Sequence, residues 1–125
     1  MREKGSALLT SIIMVMVLMM IAGVFFSVVN YQAKVITSEE KALKAYYLAE
    51  AGINYEIAAV LSNPNLAQNT RELVEEPFGT EYGGEFEVRW VDDGNTYTFH
   101  VTSSGTYQGI TRTLTEQYKY PTVEP

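Results

Sequence analysis

The chain of 125 residues contains no cysteine. Disulfide scaffolds, cysteine-ligated zinc and thiol catalysis are therefore excluded. Histidine occurs once, at His100, and a single histidine cannot build a zinc triad. No carboxylate pair is fixed beside it by spacing. Basic residues are scarce: nine Lys and Arg stand against fifteen Asp and Glu, a net charge of −6. Binding to nucleic acid through phosphate neutralisation is not expected of such a chain. A phosphate-cradling glycine loop is also missing, because Gly79, Gly83 and Gly84 do not precede a helical pattern. An enzyme is not expected on these grounds, nor a cofactor or a bound metal. The acidic residues Glu72, Glu75, Glu76, Glu81, Asp92 and Asp93 lack calcium-loop spacing and read as a solvated surface.

The most informative absence is local. Residues 5–33 carry no charged side chain. The dense part, 7–29, holds 13 Leu, Ile, Val and Phe residues. As a helix it spans roughly 35 Å, against a hydrocarbon layer of about 30 Å. Those 13 side chains favour insertion by about 4–8 kcal/mol in sum, with no Asp, Lys or Arg to oppose them. The rest of the chain is too short to wrap such a helix on every side, so a membrane-resident helix is expected. A cleaved secretory signal fits poorly. The run is too long, and no small-residue cleavage site follows it. Charge is distributed as unevenly as hydropathy. Residues 1–29 sum to +1, residues 30–61 to −1 and residues 62–125 to −6. The short basic end should remain in the cytoplasm and the acidic end should be exported.

The leader Met1-Arg2-Glu3-Lys4-Gly5 is very short, ends in glycine and precedes the apolar run. It resembles the class III leader of the type IV pilin and type II secretion pseudopilin superfamily. A second stretch, Ala45-Tyr46-Tyr47-Leu48-Ala49-Glu50-Ala51-Gly52-Ile53, is similar to a segment near the end of the N-terminal helix in PilX-type minor pilins. The resemblance covers roughly residues 1–61. It implies cleavage by a prepilin peptidase between Gly5 and Ser6 and methylation of the new amine on Ser6. It implies further that the helix enters the bacterial cytoplasmic (inner) membrane, with its N-terminus in the cytoplasm. From there it would pass, through an inner-membrane assembly platform, into an extracytoplasmic filament. Partners would be membrane lipid, the peptidase and other pilin or pseudopilin subunits. Thr10 stands at the fifth mature position, where most members have a glutamate that pairs with a neighbouring amine. A neutral residue there points to a minor subunit acting in initiation, at a tip or in modulation, as in the K-type pseudopilin. The alternative from the residues alone is a single-pass anchored adhesin or sensor domain that does not polymerise.

Residues 34–61 lack proline and are rich in good helix formers. Leu43, Tyr46, Glu50, Ile53, Ile57 and Val60 recur at steps of three and four, the spacing of one helix face. A stop is expected at Ser62-Asn63-Pro64-Asn65. Three segments beyond alternate with period two. They place Phe86, Val88 and Trp90, then Tyr97, Phe99 and Val101, then Ile110, Leu114, Tyr118 and Tyr120 on one face. A two-residue turn at Asp93-Gly94 would pair Trp90 with Tyr97, Val88 with Phe99 and Phe86 with Val101. A two-residue turn at Gln108-Gly109 would pair Phe99 with Tyr118 but oppose Val101 with Glu116, which a bulge near Gly105 or Gly109 would relieve. The expected fold is α+β: a long N-terminal helix packed on a three-stranded antiparallel meander, as in pilins. Its parts are a leader (1–5), an apolar helix half (6–33), an amphipathic half (34–61), a connecting loop (62–82) with a short helical turn at 70–76, and a sheet (83–125). Arg112 shares the parity of Ile110 and Leu114, so an ion pair with Glu50 is expected beneath the helix.

Overall fold

A computed structural model describes residues 2–62, 71–92, 94 and 98–119. One helix, α1 (Arg2–Ser62), is followed by β1 (Arg71–Glu75), β2 (Glu85–Asp92), β3 (Thr98–Tyr107) and β4 (Ile110–Lys119). The strands form one antiparallel sheet in the order β1-β2-β3-β4. The architecture is α+β, a long N-terminal helix packed on an antiparallel sheet. The sheet has four strands, not three. The chain divides into two compact units, one ending at Ser38 and the other running from Glu39 onward.

In the first unit α1 is exposed along its whole described surface, including Leu9, Ile13, Leu18, Phe25 and Val29. This segment is long and apolar enough to cross a membrane. Several of its polar side chains donate to its own backbone. The Thr10 hydroxyl donates to the Ser6 carbonyl at 2.9 Å, Ser11 to Leu8 at 2.8 Å and the Asn30 amide to Phe26 at 3.1 Å. These bonds pair one donor of each side chain within the helix.

In the second unit α1 lies on the sheet through Ala45, Leu48, Ala49, Gly52, Ile53, Glu56 and Val60, all buried. The sheet presents Phe86, Val88, Trp90, Phe99 and Val101 to the same core. Leu43 and Tyr46, expected in that core, are instead 53% and 42% exposed. At 100° per residue the buried face is rotated by about a quarter turn from the one the large apolar residues mark. Backbone proximity is the cause. A Cβ on Gly105 of β3 would collide with the Ala45 carbonyl oxygen and the Ala49 amide nitrogen, and one on Gly52 would collide with the Ser103 hydroxyl. Small residues on both elements let helix and strand touch, and that contact sets the helix's rotation.

β1 replaces the helical turn expected at 70–76. Glu72 and Val74 point inward opposite Val88 and Phe86, and on the outer face Arg71 ion-pairs with Glu87. The β1–β2 connection is closed by the Glu76 amide on the Gly84 carbonyl, 2.9 Å, and braced by edge-to-face packing of Phe78 and Tyr82.

The β2–β3 register differs from the two-residue-turn expectation. Trp90 pairs with Val101, Val88 with Ser103 and Phe86 with Gly105. Partners are displaced by four residues, so every side chain keeps its face. The connection beyond the Asp92–Phe99 pair is longer, with Gly94 at φ +67° and its amide bonded to the Asp92 carboxylate at 3.0 Å. Tyr97 and Tyr120 lie outside the described residues. The β3–β4 register runs unbroken from Thr98–Lys119 to Tyr107–Ile110. Gln108 and Gly109, at φ +45° and +82°, close it as a two-residue loop. Val101 faces Glu116 without an intervening bulge.

Candidate functional site

Two places carry the sequence-derived site residues, the amino end of α1 and its head-packing segment. At the amino end, Gly5 and Ser6 are exposed and lie inside the helix, which begins at Arg2. Residues 2–5 therefore continue the helix of the apolar run. A Cβ on Gly5 would meet nothing within 4 Å. A peptidase cutting here would have to unwind the first turns, and glycine lowers that cost relative to alanine by about 1 kcal/mol. Thr10, one turn on, is turned back on its own helix and presents no charge.

The segment 45–53 has two faces. Ala45, Leu48, Ala49, Gly52 and Ile53 are buried against the sheet, while Tyr46, Tyr47 and Glu50 face outward. Tyr46 and Tyr47 meet edge to face at 5.9 Å. Lys44 ties the joint from the side. It pairs with Glu40 at 2.9 Å, sits 5.0 Å from the Tyr107 ring, and the Glu40 contact raises its pKa.

Glu50 and Arg112 do not pair. Both are exposed, and the ion pairs among the described residues are Lys44–Glu40 and Arg71–Glu87. Arg112 instead lines an open groove of about 490 Å³ between helix and β4, beside Glu39, Leu43, Tyr46 and Leu114. The helix covers β2 and β3 more fully than β4. Ile110, Leu114 and Tyr118 are accordingly only partly buried, although they share the inward parity. Tyr118 stacks on Phe99 and donates to the Glu116 carboxylate, which pushes its phenol up to about 12. Ile53, Val60, Phe86, Val88, Trp90, Phe99 and Val101 lie in the core, with Ile57 packed at its margin.

The residue that the sequence reading passed over is Glu56. Its side chain is 2% exposed, and Oε1 makes no hydrogen bond among the described residues. Trp90 Nε1 and Ser103 Oγ are buried and unbonded in the same helix–sheet layer. Burial pushes the Glu56 carboxyl above the ordinary value of 4.5, and the nearby Glu72 charge adds to this. The available signal was its position one turn after Gly52, on the face marked by small residues. Among the described residues no three His, Asp or Glu side chains converge as a metal site.

No protein-family model matches the chain, and neither the curated proteins nor the solved structures include one that is detectably similar to it.

Proposed function

We propose that the chain is a minor pilin or pseudopilin subunit of a type IV pilus or type II secretion-like filament. It would be processed after Gly5 and held first in the inner membrane by residues 6–33. It would then join other subunits through an assembly platform. The observation that carries this reading is one uninterrupted helix, Arg2–Ser62, with two unlike halves. One half is uncharged and uncovered, and the other is docked on a small sheet. An uncovered apolar helix needs a membrane or other helices around it. The leader ending in Gly5 and the Ala45–Ile53 stretch add the family resemblance. Thr10 fits a position where no glutamate–amine pair is required. Exposed Leu43, Tyr46 and Tyr47 offer apolar contact area to a neighbouring subunit.

The test is fractionation. Filaments sheared from cells of the native host should carry the protein, and cells lacking the prepilin peptidase should retain it in the membrane. Recovery only in the membrane of normal cells would favour the second reading, an anchored domain that never polymerises. The observation on that side is the helix running unbroken through Gly5–Ser6.

A further inference from the structure

The buried carboxylate in the helix–sheet joint has surroundings that can be enumerated. On α1 its neighbours one turn away are Gly52, Ile53, Ala59 and Val60, all neutral, and Tyr55 beside it gives its hydroxyl to Glu72 Oε1 at 3.1 Å. On β1 the inward residues are Glu72 and Val74. On β2 they are Phe86, Val88 and Trp90, followed by Asp92 at the strand end. On β3 they are Phe99, Val101, Ser103 and Gly105. On β4 Arg112, Glu116 and Tyr118 share the inward parity; the first two are exposed, and Tyr118 is half-buried against Phe99 and bonded to Glu116. Residues 63–70 contain no ionisable side chain. Among the described residues no ion pair compensates Glu56, and the Glu72 carboxylate acts on it as a like charge.

We propose that Glu56 is an acid-operated latch. With its carboxyl protonated, residues 45–60 of α1 dock firmly on β1–β3, and ionisation as pH rises loosens that docking. A neutral carboxyl can be accommodated in the buried helix–sheet layer, whereas an ionised one is held out of water without a cation. The sign follows from linkage. The folded carboxyl binds its proton more tightly than the unfolded one, so the stabilisation is complete below the unfolded value of 4.5. It is lost as pH rises from there through the folded value. Loosening would free from the sheet the helix segment that also carries the outward-facing Tyr46 and Tyr47.

The single tryptophan lies in this layer and reports on it. The experiment is thermal unfolding of the full chain in detergent micelles, followed by Trp90 fluorescence between pH 4.5 and 8.5. The wild-type midpoint should fall by several degrees as pH rises. Glu56→Gln should abolish that fall and raise the midpoint above wild type at pH 8. Glu72→Gln should reduce the fall without abolishing it. A flat wild-type profile, or an undiminished slope in Glu56→Gln, overturns the proposal. Carboxyl carbon NMR of the wild type decides the matter even if the variant does not fold. One glutamate should titrate above the ordinary range, and titration of all of them within it would overturn the latch.

Discussion

The two halves of α1 form one helix but solve different problems. Residues 7–29 are uncharged and mostly large and apolar, and their large side chains are exposed around the helix. Residues 45–60 bury one face only, and the closest part of that face is Ala45, Ala49 and Gly52. Bulk hydrophobicity suits an environment that surrounds the helix uniformly, such as lipid or a bundle of equivalent helices. Docking on one sheet needs shape, and shape here comes from missing side chains. The difference also explains how the large residues can mislead: on the second half, Leu43, Tyr46 and Tyr47 are the outward residues.

That contrast can be broken at either end. Gly105→Val should have the largest effect. The new side chain meets helix backbone at Ala45 and Ala49, which cannot rotate away, and overpacking of this kind costs about 3 kcal/mol or more. The full chain in micelles should show an early, broadened Trp90 unfolding transition. Val17→Lys should act on the other half alone. It should cost about 3 kcal/mol in membrane insertion, read as the fraction of chain integrated, and leave head unfolding unchanged. If Val17→Lys lowered the head's midpoint as far as Gly105→Val does, the two halves would not be independent.

Smaller effects sharpen the picture of the sheet. On its outer face, Thr102–Thr115, Ser104–Thr113 and Thr106–Thr111 are hydroxyl pairs at 2.9–3.1 Å across β3 and β4. Thr113→Ala should cost about 0.2–1 kcal/mol in thermal unfolding, the worth of one cross-strand pair. Smallest of all is the Glu50–Arg112 coupling. A double-mutant cycle with Glu50→Ala and Arg112→Ala should give additive changes, because the two side chains do not meet.

Much of the fold was legible in the chain itself. The uncharged run and the period-two faces of β2, β3 and β4 come from hydrophobic patterning, which acts locally, while the expected helix stop at 63–65 lies outside the described residues. The Gln108–Gly109 turn was legible because a two-residue loop ending in glycine joins two alternating runs there. The β2–β3 register was not, since displacing partners by four residues keeps every side chain on its face. Pattern alone cannot choose between the two alignments. What chooses is the placement of Gly105 opposite Phe86 and under Ala45 and Ala49, a contact between elements more than fifty residues apart. β1 was hidden because Arg71–Glu75 has only two inward positions, Glu72 and Val74, and one is charged. From the sequence, Gly5, Ser6 and Thr10 were singled out by motif resemblance alone. Glu56 was not, because its burial follows from the helix's rotation and not from its own chemistry.

The filament-subunit reading stands or falls on the amino end. Intact-mass and N-terminal peptide spectrometry of the protein from its native host tests it most directly. The account predicts a mature chain beginning at Ser6 with a methylated amine. A chain that retains residues 1–5, with an unmethylated amine, would contradict it.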